Sequence, residues 1–241
     1  MHGSAQTRTL PDAPGRDAAA RAFEALERTT YEVARSPAAR EEIYRLRHRA
    51  YLAEGAIVPN PAGALSDAFD LQDNCCSVAV RYDGRLAGSI RICVISASER
   101  RSSAGMTFPE ALAPFLDVGA LIVDPNRFVA DPELPFRIPD LPHLILRLPL
   151  VAGVHFGARY GLATPRAEHC AFYRRVLGGR PLCAPVPYPG LAKPVGLMIS
   201  EIESSLAHVG RRYPFMLPRP GEAEALFGGV ELRHPADAAA A

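Results

Sequence analysis

Long apolar runs, paired cysteine motifs and net charge are all missing from this sequence, and each absence excludes a class of protein. The longest apolar stretch, around residues 141–154, is broken by Arg147 and stopped by His155. It falls short of the roughly 20 residues that a membrane-spanning helix needs. The five cysteines are odd in number and include no C-x-x-C spacing, so no metal site is expected and all five are read as reduced, mostly core-like thiols. Cys75 and Cys76 are adjacent and are expected on opposite faces of a strand. A net charge of +1 leaves no global electrostatic case for a nucleic-acid partner. The basic residues form only local spots, at Arg100-Arg101, Arg174-Arg175 and Arg211-Arg212. The first twenty residues lack the apolar segment of a secretory signal. With reduced cysteines, this places the expected compartment in the cytoplasm. No internal repeat is visible.

What is present suffices for one large domain. Of 241 residues, 48% are apolar, enough for a sizeable core. Residues 1–20, rich in Ala, Asp, Arg and Pro, read as disordered. Residues 21–235 read as a single domain, and 236–241 as a flexible tail.

Residues 29–34 alternate as a first strand. Ser36-Pro37 then supplies an N-cap and a first-turn proline for a helix through residues 40–54 that ends at Gly55. Ile43, Leu46, Ala50 and Tyr51 form its apolar stripe. Strands at 76–82 and 86–95 flank Asp83-Gly84, a hairpin turn. Residues 96–107 read as a polar loop, 109–115 as a short helix and 118–123 as a buried strand stopped by Asp124-Pro125. The proline-rich stretch 125–142 cannot be one regular element. Residues 144–160 are helical in pattern, with Pro149 at a kink or late start. A short strand at 160–163 feeds the segment Glu168-His169-Cys170-Ala171-Phe172-Tyr173-Arg174-Arg175-Val176-Leu177-Gly178, a helix that puts His169 and Tyr173 on one face and stops at glycine. Strands at 181–186 and 194–202 follow, then a short helix around 222–227. The sum is an α/β layered sheet.

Two groups of residues carry chemistry. His169 and Tyr173 share a helix face, a suitable place for acid–base work. Arg47 and Tyr51 lie four apart on the first helix, Asp67 and Asp70 three apart in the next loop, and Arg91 in mid-strand. A mid-strand arginine is buried only if paired, because an unpaired buried charge is very costly. On pattern alone two readings stand: turn capping by the aspartates with an outward Arg91, or a buried arginine paired with them.

These residues also carry a resemblance. The Phe172-Tyr173 pair, followed by Arg174-Arg175 and Gly178, resembles the fourth helix of the GNAT acyltransferases. Arg47 with Tyr51, Asp67-x-x-Asp70 and Arg91 resemble, in order and spacing, the signature of autoinducer-synthase-like acyltransferases. Tyr44-Arg45-Leu46-Arg47, Tyr51-Leu52-Ala53-Glu54-Gly55, Val123-Asp124-Pro125-Asn126-Arg127-Phe128-Val129 and Glu168-His169-Cys170-Ala171-Phe172-Tyr173 look like the branch of FeeM-type long-chain N-acyl amino acid synthases. One departure points the same way: where autoinducer synthases carry Glu-x-Ser-Arg, this chain has Asp117-Val118-Gly119-Ala120.

The resemblance implies a GNAT fold, with a mixed, mostly antiparallel central sheet flanked by helices. It implies transfer of a long-chain fatty acyl group to the amine of an amino acid. Arg47, Tyr51, Asp67, Asp70, Arg91, Gly119 and Arg127 would bind substrate. Asp117 and His169, with His155 third, would be candidate bases, Gly119 the oxyanion donor and Tyr173 the acid for the leaving thiolate. Acyl-CoA users hold the pyrophosphate on a Gly-rich loop after the fourth strand; here that place reads Asp124-Pro125-Asn126-Arg127-Phe128. The expected donor is therefore acyl-ACP, with acyl-CoA less favoured and no other cofactor. Arg127, Arg147, Arg159, Arg174 and Arg175 are candidate docking residues for the acidic carrier protein. The helix at 144–154 would line an acyl tunnel, and a lipophilic product implies weak contact with a membrane surface. The alternatives are a homoserine-lactone synthase using S-adenosylmethionine and a non-catalytic acyl-ACP-binding module.

Overall fold

The computed structural model describes residues 16–134, 138–188 and 193–230; the disorder expected for 1–15 and the tail at 236–241 lie outside them. The first described element, α1 (Arg16–Glu27), corrects the expectation of disorder through residue 20. Composition suggested a solvated tail, but alanine is the best helix former, and Ala22, Ala25 and Leu26 bury one stripe against the core. After β1 (Thr29–Val33), α2 (Pro37–Ala53) begins with Ser36 accepting from the Ala39 N–H, and Gly55 takes a left-handed φ of 61° beyond its end.

β2 (Cys75–Tyr82) and β3 (Arg85–Ile95) are joined by Asp83 and Gly84, both at positive φ, 49° and 76°. Two left-handed residues match the twist of a tight hairpin. The register sets Cys75 opposite Cys93, and the two form a disulfide. This corrects the reading of five reduced thiols: cross-strand register, invisible in spacing alone, brings the pair together. Cys76 is free and buried, and burial pushes its thiol up to about 12.

The loop expected at 96–107 contains a short helix, α3 (Ser103–Thr107), followed by α4 (Pro109–Leu116). The next strand is displaced from its expected place. β4 spans Ile122–Ala130, so Asp124-Pro125 lies inside it and 117–120 is a turn. Proline stops a strand only where its missing N–H faces a partner. β4 pairs in parallel with β5 (Tyr160–Ala163) only at Ile122 and Val123, so Pro125 lies where that edge is already free.

Between these strands come α5 (Leu141–Leu146) and α6 (Leu148–His155), broken at Arg147 with Pro149 in the first turn of α6. α7 (Cys170–Leu177) ends at Gly178, φ 72°. β6 (Arg180–Val186), β7 (Val195–Glu201), α8 (Ile202–Arg212) and α9 (Glu222–Phe227) complete the described chain. The strands form one sheet in the order β1-β2-β3-β4-β5-β7-β6, antiparallel except at β4–β5.

Helices cover the sheet. Residues of α5 and α6 from Leu144 to Ala152 are buried in the main core, where Leu, Ile and Val pack closely, and they do not line the cleft described below. Among the described residues no helix is long and apolar enough to cross a membrane.

Candidate active site

Because β5 ends at Ala163 while β4 runs on to Ala130, the sheet opens beyond Val123. A cleft of about 610 Å³ occupies this opening. One wall comes from α2 and its C-terminus (Tyr51, Glu54), one from β4 (Asn126 to Asp131), and one from β5 onward (Thr164, Arg166, His169, Phe172, Tyr173). β4 carries a bulge here. Ser89 pairs with Val129 and Arg91 with Asn126, so Ile90 alone faces Arg127 and Phe128. Arg127 sits at φ 52°, a left-handed conformation that costs a non-glycine residue energy and that such bulges usually give to glycine.

Beneath the β4 wall lies a charge cluster. Arg91 is 0% exposed, and each of its nitrogens is engaged. Nε donates to Asn126 Oδ1 (2.7 Å), Nη1 to Asp67 Oδ1 (2.6 Å), and Nη2 to Asp67 Oδ2 (3.2 Å) and Ser103 Oγ (3.1 Å). Nη1 also lies 3.1 Å from Asp70 Oδ1. Arg47, equally buried, donates from Nη1 to Asp70 Oδ1 and from Nη2 to Ser77 Oγ, both at 2.7 Å. Arg127 places both Nε (3.1 Å) and Nη2 (2.6 Å) on Asp67 Oδ2. The aspartates cap the turn and also pair with a buried Arg91; the outward Arg91 of the first reading is not found. The two carboxylates form a capping box on the turn Ala68–Leu71, which aims their remaining oxygens at the arginines. Burial alone would raise both carboxyls. The guanidiniums of Arg91 and Arg127 outweigh it and hold Asp67 at about 2, and those of Arg47 and Arg91 hold Asp70 below its usual range.

The other expected site residues divide. Tyr51, Arg127, His169 and Tyr173 line the cleft, with His169 exposed at its rim. Burial, with smaller contributions from Tyr51, Glu54 and Cys170, pushes Tyr173 up to about 12, so it is a neutral phenol at physiological pH. Asp117 and Gly119 are not brought there. Asp117 is 60% exposed and paired with Arg100 at 2.6 Å. The N–H groups of Gly119 and Ala120 already donate to Leu116 and Phe115 carbonyls. Their assigned roles as base and oxyanion donor are withdrawn, because 117–120 is the turn closing α4 and lies at the other end of β4. His155 packs instead on Phe156 and Phe227, beside Glu224. Arg147 is fully buried against Glu222 and the Leu217 carbonyl, so it docks nothing.

Several residues the sequence reading passed over belong to this site. Asn126 fixes Arg91. Ser77 and Ser103 complete the arginine shells. Tyr188 lines the cleft. Glu54 and Arg166 pair at 2.5 Å between two of its walls. Asp124 is 0% exposed, accepts from the Ala104 N–H at 3.0 Å, and leaves Oδ1 without a hydrogen bond. Alternation along β4 places Asp124 and Asn126 on one face, a signal hidden once Asp124-Pro125 is read as a stop.

The family model described as N-acyl amino acid synthase FeeM matches residues 42–201, a span that contains the whole cluster and the cleft-lining helix α7. The chain belongs to the FeeM family. As a FeeM-family protein it is an acyltransferase, and its sheet with flanking helices is the GNAT-like arrangement that the resemblance implied. The solved structure of FeeM, an N-acyl amino acid synthase from uncultured soil microbes, superposes with a TM-score of 0.62 at 17% identity, covering 75% of this chain and 94% of that one. The AHL synthase LasI gives 0.58 at 16% identity over 79% and 98%. BjaI, a CoA-dependent acyl-homoserine lactone synthase, gives 0.55 at 16% over 74% and 82%. At these identities the likenesses are ones of fold. A comparison with curated protein sequences finds no match.

Proposed function

We propose that this chain transfers a long-chain fatty acyl group from acyl carrier protein to the amine of an amino acid. The observation that carries the reading is the buried Arg47–Asp70–Arg91–Asp67–Arg127 cluster set directly under a cleft at the β4–β5 opening. Support for a carrier-protein donor comes from the segment after β4. Residues 124–128 are strand, and the segment after it, 131–140, contains no glycine and carries Asp131, Glu133 and Asp140. Three of its backbone donors are engaged within the protein: Asp131 N on Ala87 O, Glu133 N on Asp131 Oδ1 and Leu134 N on Asp131 O. Pro142, opening α5, has no N–H. Such a segment suits a donor without a pyrophosphate. Arg159, Arg174 and Arg175 are exposed and remain the candidate docking residues. The Cys75–Cys93 disulfide removes the reduced-thiol ground for the cytoplasm, which is proposed here on the acyl-ACP donor alone, and the lipophilic product would meet a membrane surface weakly.

In this reading the acceptor ammonium loses a proton to His169, directly or through water, and its nitrogen attacks the thioester carbon. The C–N bond forms as the C–S bond breaks. Beyond Val123, β4 has no β5 neighbour, and in this reading backbone N–H groups at its bulge would stabilise the oxyanion. Tyr173 delivers its proton to the leaving thiolate and is reprotonated from the pool that received the amine proton.

Mass spectrometry of lipid extracts from cells expressing the chain tests this, against Arg91→Ala and the milder Tyr173→Phe. A new N-acyl amino acid present with wild type and reduced with both variants is expected. The likeness to LasI favours the lactone synthase as the second reading, and an N-acyl homoserine lactone in the extract would replace the first.

A further inference from the structure

Three guanidiniums and two carboxylates leave the cluster one positive charge over. The other charged side chains around the cleft do not cancel it, because they are already matched. Glu54 pairs with Arg166, Glu168 with Lys193, and Asp131 with Arg49. Asp124 is the nearby carboxyl least ready to add a negative charge, because complete burial raises its pKa.

The surplus has one outlet. Arg47 and Arg91 are 0% exposed and bound by Asp70, Asp67, Ser77, Ser103 and Asn126, so neither reaches a substrate. Arg127 differs. It lines the cleft, 13% of its side chain is exposed, and only Nε and Nη2 engage Asp67, leaving Nη1 on no carboxylate. Its backbone holds a left-handed conformation at the bulge, which an L-residue adopts only where the surroundings impose it. Tyr51 flanks the guanidinium, 5.7 Å from ring centre to Cζ, and its hydroxyl is a further, neutral hydrogen-bond partner of Arg127; away from bulk water a charge-assisted bond to a carboxylate is stronger.

We infer that Arg127 is the subsite for the α-carboxylate of the acceptor, so the cleft takes free amino acids and rejects amines or amides of the same shape. This rests on the proposed N-acyl transfer for its acceptor, but it is a statement about binding and is tested as one. Thermal unfolding of the wild type is followed with a donor-mimicking dodecanoyl thioester present, with either a mixture of the proteinogenic L-amino acids or the same mixture as α-carboxamides. Arg127→Gly suits the left-handed position and removes the guanidinium; Arg127→Lys keeps the charge without the fork that serves two partners.

The acids are expected to raise the wild-type melting temperature and the carboxamides to leave it, with a preference of about 10- to 100-fold in affinity. Arg127→Gly should lose that preference and Arg127→Lys keep part of it. Equal stabilisation by acids and amides, no stabilisation by either, or an Arg127→Gly variant that still discriminates would overturn the inference. Products from the same tubes separate the two claims. Acylated amides formed alongside acylated acids would end the carboxylate subsite and leave acyl transfer standing. Acid-selective binding without product would do the reverse.

Discussion

Among the described residues arginine is buried completely in two places, and the two are built on different charge balances. At the break between α5 and α6, Arg147 meets one carboxylate, Glu222, with Nη2 at 2.7 Å and Nη1 closer still, and caps the Leu217 carbonyl at 2.8 Å. The Tyr31 ring covers the guanidinium at 5.4 Å, and the Tyr31 hydroxyl donates to Leu144 O. One cation meets one anion, and the pair holds α9 to the core. Under the cleft, three arginines share two aspartates, and the exposed edge of the third faces an opening. A buried arginine thus reports that partners exist. It is the unmatched charge beside a cavity that marks a place for a ligand.

The largest effect expected is from Arg91→Ala. It leaves Asp67 with Arg127 alone and Asp70, whose side chain is only 1% exposed, with Arg47 alone. Removing one partner from a buried ionic network costs about 3–5 kcal/mol, read as a lower urea midpoint, and acyl transfer should be lost with it. Arg147→Ala should cost less, roughly 2–3 kcal/mol, because water reaches Glu222, which is 18% exposed, and transfer by the folded fraction should be unchanged. The double replacement Arg147→Met with Glu222→Leu should come close to wild-type stability, as apolar substitutes for whole buried pairs often do. If Arg147→Ala instead lowered turnover as much as Arg91→Ala, the division into a structural and a functional arginine would collapse.

That division was half legible in the sequence. The Asp83-Gly84 turn and the helix stop at Gly178 are local signals, set by residues that touch their own neighbours, and both are legible, whereas the helix expected over 168–178 begins only at Cys170, with His169 as its cap. Asp67-x-x-Asp70 also acts locally, as a capping box, so its geometry follows from three residues. Arg147 needs Glu222, 75 residues away, and nothing near it announces that partner, so an arginine in an apolar helix pattern reads as a docking residue. β4 failed for a related reason. Asp124-Pro125 reads as a stop unless β5 is known to end early, and misplacing that strand carried Asp117 and Gly119 into the site and kept Asp124 out of it. Cys75 and Cys93 belong to the same class, joined by register rather than by spacing.

Acid should affect the two regions unequally. Asp67 sits at about 2 in the folded chain against an ordinary value of 3.8. A depressed carboxyl stabilises the fold at pH values above its unfolded pKa, and this contribution is lost as pH falls towards the folded one. The window is therefore about pH 4 to 2, and the contribution is roughly 2 kcal/mol. Glu222 is also lowered, by Arg147 and by the Arg219 N–H acting against burial, so it adds in the same direction. Urea midpoints measured from pH 6 to 2 should stay level and then fall below pH 4. Asp67→Asn should flatten more of that fall than the Arg147→Met, Glu222→Leu pair does.

The smallest effect bears most directly on the comparison. Asp124 is buried with Oδ1 unbonded and its pKa is raised by burial, opposed by Ser102, the Ala104 N–H and Arg91. A carboxyl raised in the folded state favours folding below its unfolded pKa and loses that advantage as pH climbs through the folded one. Asp124→Asn keeps an acceptor for Ala104 and cannot ionise. Its stability relative to wild type should therefore improve from pH 4 to pH 7. A variant that instead loses stability on that climb would show Asp124 acting as an ionised third carboxylate. The cluster would then hold three charges of each sign and be as neutral as the Arg147 pair. Arg127 would have no surplus to offer, and the carboxylate subsite would have to be sought elsewhere in the cleft.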